Sequence, residues 1–252
     1  MMENGCKVEQ AKRFHQMEMI PPLRYGFALM MMASFLFSCS RLPVIKPAEP
    51  SAATALIEQC RRPYPSVPYR FVHAIEVILP GGSSGTMMGA TLIDPKAAAV
   101  HSVIMTLEGF VVFDGAYDKD VHVDRAVPPF DKPHFAKNML KDVRLMYLAP
   151  EGRPVKVGFL EDGAVICRYT GNDNHIVDVI VHRDGSWEID TYSESEEIRR
   201  RIRLGSVRNG ISETVELNGY EAWGYTLRMR LISADPVVQE AAPVIPKRQL
   251  DE

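Results

Sequence analysis

No stretch of this 252-residue sequence stays apolar over the length that a membrane-crossing helix needs. Crossing about 30 Å of hydrocarbon takes roughly 20 apolar residues. The run that comes nearest, Tyr25 to Ser40 (YGFALMMMASFLFSCS), has sixteen, between Arg24 and Arg41. An excess of one charge is missing too. Its 29 Lys and Arg against 32 Asp and Glu leave a net charge of -3, which gives no bulk electrostatic reason to bind nucleic acid. There is no glycine-rich phosphate cradle. The four cysteines and seven histidines do not cluster at metal-ligand spacing. His122-Val123-Asp124 puts two ligands on one strand face without a third, and His175 and His182 point to opposite faces of one expected strand. Asp114, Asp118, Asp120 and Asp124 read as the acids of one loop, lacking the glycine and terminal glutamate of a calcium loop. Gly81-Gly82-Ser83-Ser84-Gly85 spells the G-x-S-x-G of a hydrolase nucleophile elbow, but the elbow needs a helix directly after it. Thr86 to Ile93 follows instead and reads as a strand, so a hairpin loop is expected. Neither a cofactor, a metal nor catalysis is expected.

What is present begins with that short apolar run. A basic flank, a brief apolar core and small residues at its end describe a secretory leader. Leu36-Phe37-Ser38-Cys39 resembles the lipobox of bacterial lipoproteins, with an aliphatic residue at -3, a small one at -1 and the cysteine that takes the lipid. Phe37 at -2 is bulkier than that pattern usually carries. Residues 1–38 are read as the signal peptide, with Met17 or Met19 as candidate true starts because a leader from Met19 has ordinary length. Ser40, rather than Asp, after Cys39 resembles the signal that sorts lipoproteins to the outer membrane, on its periplasmic side. Cys6 leaves with the leader. Cys60 and Cys167 remain in an oxidising setting that permits a disulfide, although Cys167, alternating with apolar neighbours, fits a buried free thiol equally well.

Residues 39–68 are rich in Pro, Ala and Ser and read as a lipidated flexible tether, with one short helix around Ala53 to Arg61. Residues 236–252 hold three prolines and read as a frayed tail. Between them, 69–235 alternates with period two. Phe71, His73, Ile75, Val77 and Leu79 share one face, and similar runs recur between turn signals such as Glu161-Asp162-Gly163 and Arg183-Asp184-Gly185-Ser186. About ten antiparallel strands are expected. One segment has helical spacing instead: Phe135, Met139, Leu140, Val143, Met146 and Tyr147, opened by Asp131 as N-cap and Pro133, and closed by Ala149-Pro150. One amphipathic helix amid a meander must bury its apolar face on the sheet. The expected fold is mainly β (α+β): a strongly curved, unclosed antiparallel barrel capped by one helix.

That order of parts resembles the LolA/LolB family of lipoprotein carriers and receptors. The resemblance implies an unclosed barrel that holds acyl chains beneath a lid-like helix, here Pro133 to Leu148. It also implies an exposed apolar hairpin, here Leu107-Glu108-Gly109-Phe110, of which Leu107 and Phe110 carry over. Having one helix rather than several in the body departs from the family. Flexible thioethers suit varied apolar partners, so Met87, Met88, Met105, Met139, Met146 and Met229, with Leu107, Phe110 and Phe135, are the candidate ligand-binding residues. Arg199, Arg201 and Arg203, together with Arg228 and Arg230, would form one exposed basic stripe if their strands pair. The expected function is binding of lipid acyl chains or lipoproteins, with a periplasmic carrier or envelope protein as a further partner. The alternative is a non-catalytic structural or assembly lipoprotein that docks a protein.

Overall fold

A computed structural model describes residues 42–171, 175–221 and 224–237. The signal peptide with Met17 and Met19, the lipidated Cys39, and the tail from 238 onward lie outside these residues. Among the described residues thirteen strands form one antiparallel sheet whose two ends do not pair with each other. In chain order they are β1 (Lys46–Pro47), β2 (Tyr69–Ile78), β3 (Ser84–Asp94), β4 (Ala99–Met105), β5 (Val111–Tyr117) and β6 (Val121–Ala126). After a helix come β7 (Lys156–Phe159), β8 (Val165–Thr170), β9 (Ile176–Val181), β10 (Trp187–Tyr192) and β11 (Ile198–Leu204). A separate two-stranded ladder, β12 (Val207–Arg208) and β13 (Ile211–Ser212), precedes β14 (Thr214–Gly219) and β15 (Tyr225–Pro236). The sheet runs β1-β7-β8-β9-β10-β11-β14-β15-β2-β3-β4-β5-β6. The long β15–β2 pairing, Thr226 against Ile78 through Pro236 against Tyr69, joins the late strands to the early ones.

Period two sorts the side chains as expected. Met87, Ile75, Met229, Val215, Leu204, Trp187, Val181 and Val165 form one register row across eight strands, all on the concave face. Leu227, Leu217, Ile202, Ile189, Val179 and Cys167 form the next, and the last five are buried. The core lies against this face, covered by two helices rather than one: α1 (Pro50–Arg61) and α2 (Pro133–Tyr147).

Helix α1 is the short helix expected around Ala53 to Arg61, begun three residues earlier, but the segment from residue 42 that carries it is not a free tether. Pro43 and Ile45 lie on the convex face, where Arg168 donates to the Pro43 carbonyl at 3.2 Å and Ile45 packs against Ile166 and Ile180. The chain then rounds the sheet edge as β1 pairs with β7, and Ala48 N–H donates to Val157. It enters the concave side as α1. Leu56 and Cys60, four residues apart and so on one helical face, are both buried there. Cys60 is disulfide-bonded to Cys167 of β8, across 107 residues of sequence. Anchoring at three places leaves no free tether in 42–61, whatever its Pro and Ala content suggests.

Helix α2 covers the concave face of β4, β5 and β6. Its start differs from expectation. Lys132 is the N-cap with no side-chain cap bond, and Asp131 is exposed. Ala136, Leu140 and Tyr147 are buried on its inner side. Tyr147 stacks on Phe71 at 4.9 Å between ring centroids, and its hydroxyl lies 3.3 Å from His73 Nε2.

Candidate functional site

Where the curved sheet and α2 part company, at the end marked by the last turn of the helix, a cleft of about 920 Å³ opens. This is within the roughly 300–1,000 Å³ usual for small-ligand sites. One wall is the second half of α2 and the loop after it, from Asn138 to Arg153; the other is the ends of β8 to β11. Leu145, Leu148, Tyr169 and Val177 supply apolar surface. Charged groups frame it.

The innermost of those is Asp142, which α2 carries into the interior. Arg200 Nε donates to it at 3.0 Å, and the Tyr225 hydroxyl donates to its other oxygen. Gly219, in register between Arg200 and Tyr225, makes room: a Cβ there would come within 2.6 Å of the tyrosine ring. Glu221 accepts from Arg199 at 2.9 Å and from Arg200 at 3.1 Å. Burial pushes the Asp142 carboxyl up from the usual carboxylate range, while Arg200 opposes that. Asp142 and Arg200 thus pin α2 to β11, across the gap where the cleft opens. Sequence reasoning missed both, though each left a trace. Asp142 falls between Met139 and Met146 at helical i+3 and i+4 spacing, on the apolar stripe, and Arg200 shares parity with the buried Ile202 and Leu204.

The residues named from sequence are not gathered at this cleft. Met87, Met139, Met146 and Met229 join the main core, Met146 and Met229 being buried. Met88 and Met105 pair with each other on the opposite, convex face, since adjacent Met87 and Met88 must point to opposite sides. Leu107 and Phe110 are 62% and 54% exposed at the β4–β5 turn, where Arg125 lies 4.9 Å over the Phe110 ring. Phe135 is exposed and packs edge-on to Phe130. The one-interior reading of the methionines therefore fails, for the simple reason of strand alternation.

The basic stripe is also replaced. Strand β14 lies between β11 and β15, so the arginines alternate with acids on the convex face. Arg228 reaches Glu76 and Glu216, Arg203 reaches Glu216 and Glu188, and Arg201 reaches Glu188 and Asp190. Asp190 sits directly opposite Asp178, which takes both 2.7 Å bonds of a forked Arg168. The result is a mixed-charge ladder, not a cationic patch. The four acids read as one loop are divided as well. Asp114 lies in β5, 2.7 Å from His101, Asp124 lies in β6, and Asp118 and Asp120 remain in the turn. No group of three metal-ligating side chains occurs among the described residues. The G-x-S-x-G segment runs into strand β3, as the hairpin reading requires.

Among solved structures, a LolA superfamily protein from Nitrosomonas europaea superposes with a TM-score of 0.50 at 13% identity, covering 75% of this chain and 94% of that one. The chain has a LolA-like fold. A DUF1329 family protein from Desulfovibrio piger gives a TM-score of 0.45 at 11% identity, over 76% of this chain and 94% of that one. No protein-family profile and no curated protein matches the sequence. The cleft lies beside α2, which covers the concave face of the sheet.

Proposed function

We propose that this chain is an outer-membrane lipoprotein, anchored by a lipid on Cys39 at the periplasmic side, whose LolA-like domain binds lipid acyl chains or lipoproteins without catalysis. One observation carries the reading: on a LolA-like sheet, a cleft of about 920 Å³ with an apolar wall opens between α2 and the concave face. The leader features before Cys39 support the anchor. The experiment is displacement of a fluorescent fatty acid from the full mature chain, with incorporation of labelled palmitate followed in parallel. Saturable binding and label lost in Cys39→Ala are expected. Absence of saturable binding refutes the cargo reading, and label retained in Cys39→Ala refutes the anchor.

A second reading, an assembly lipoprotein that docks an envelope protein, draws on β6. It is an edge strand with four consecutive exposed residues, His122 to Arg125, and a row of open backbone groups. Capture of a defined envelope protein, abolished by a proline at Val123, would favour it.

A further inference from the structure

The described residues lining the cleft include five Lys or Arg and three Asp or Glu, with His175 besides. Their pairing decides what remains for a ligand. Arg144 donates to Glu151 at 3.3 Å and lies 4.4 Å over the Tyr117 ring, in the last turn of α2, where the terminal carbonyls carry partial negative charge. Arg199 and Arg200 share Glu221, and Arg200 also holds Asp142. Those three cations and three acids account for one another. Lys141 and Arg153 are left. Both are exposed, and neither forms an ion pair among the described residues. Both line the cleft, one on α2 and one in the loop that follows it, together with Leu145 and Leu148.

An apolar wall beside two cations that pair with no acid among the described residues is complementary to a molecule with one apolar end and one anionic end. We infer that the cleft takes a single-chain amphiphile with an anionic head group, a carboxylate or a phosphate monoester. The chain lies along Leu145, Leu148 and Val177, and the head lies between Lys141 and Arg153. This rests on the acyl-chain reading above and adds the head-group chemistry to it. An arginine fork fits either anion with two parallel bonds, and an ammonium adds a movable point charge. A zwitterionic head group of the same chain length offers the pair no net charge and brings a quaternary ammonium towards them.

The test uses the full mature chain with a fluorescent acyl probe, competed by palmitoyl lysophosphatidate, by palmitoyl lysophosphatidylcholine and by inorganic phosphate. The anionic lipid is expected to compete about tenfold better than the zwitterionic one, the size of one charge-assisted contact. Added salt narrows that gap, because the cations are exposed. The double variant Lys141→Gln, Arg153→Gln should remove the preference and leave displacement by lysophosphatidylcholine unchanged. Equal competition by the two lipids, or an undiminished preference in the double variant, overturns the head-group assignment alone. Failure of both lipids to displace the probe overturns it together with the acyl-chain reading. Displacement by inorganic phosphate at the same concentrations also overturns it, because the chain would then contribute nothing.

Discussion

His73 gives the sharpest test of how the helix and sheet fit together. It lies on the concave face of β2, 1% exposed, between Phe71 and the Tyr147 ring. Its Nε2 has the Tyr147 hydroxyl, while its Nδ1 meets no hydrogen-bonding partner among the described residues. Burial lowers its pKa from 6.5 to about 4. Between those values the unfolded chain holds a proton that the folded chain refuses, so stability falls as pH drops through the window, and below it the loss is complete. From about pH 7.5 to about pH 4.5 the loss from this group is about 2.5 kcal/mol. Buried acids titrate in the same range, so the measurement is a difference: urea unfolding of the disulfide-intact chain at both pH values, for the parent and for His73→Leu. Removing the imidazole costs some stability at either pH, since the Tyr147 hydroxyl is left buried and unpaired. The parent should nonetheless lose about 2.5 kcal/mol more than the variant on acidification. Equal losses would mean that His73 is solvated and that α2 does not seal the sheet at Tyr147.

Three further outcomes follow from the packing. Arg168→Ala strands Asp178, fully buried opposite Asp190, and should cost about 3–5 kcal/mol in chemical denaturation, whereas Arg168→Met with Asp178→Leu should be far closer to neutral. Replacing Cys60 and Cys167 by serine opens a crosslink spanning 107 residues and should cost about 2–5 kcal/mol, with α1 becoming open to proteolysis first. Leu107→Ser with Phe110→Ser removes exposed apolar surface and the exposed contact of Arg125 with the Phe110 ring, so stability should fall by no more than about 1 kcal/mol while adsorption to lipid vesicles falls.

Much of the fold was legible because strands with one buried face alternate strictly. The β2 row of Phe71, His73, Ile75 and Val77, the turns at Gly163 and Gly185, and the α2 stripe from Met139 to Tyr147 stand where the pattern places them, while Phe135 at the start of that stripe is exposed. Composition misled at 42–68. Proline and alanine there belong to a chain that rounds a sheet edge and a helix that begins at Pro50, and the informative residues were Leu56 and Cys60, one turn apart. The site was less legible, because it depends on which strands are neighbours. Nothing local says that β14 separates β11 from β15, and that insertion turns three of the five arginines, Arg201, Arg203 and Arg228, from a stripe into rungs between Glu188, Asp190, Glu216 and Glu76. The cleft, likewise, is assembled from the ends of four strands and a loop that share no motif.

The two faces of the sheet are held by different physics, and that difference places the cleft. Across the convex face a ladder of ion pairs runs from Arg168 to Glu76, its buried centre at Asp178 and Asp190 tolerating little displacement, since each carboxylate depends on a forked arginine. On the concave face α1 is crosslinked to β8, and one side of α2 is set among aromatic rings at Phe71, Phe113 and Phe130. Within the apolar stripe of α2 one position is polar and faces β11. There Asp142 meets Arg200 and Tyr225, and a polar pin fixes separation without filling the space beside it. An apolar seam at that position would close the gap by burial, whereas an ion pair between two long side chains holds the walls apart while keeping both charges satisfied. The cleft therefore lies where packing is replaced by a salt bridge, and Lys141 and Arg153, which pair with no acid among the described residues, line it.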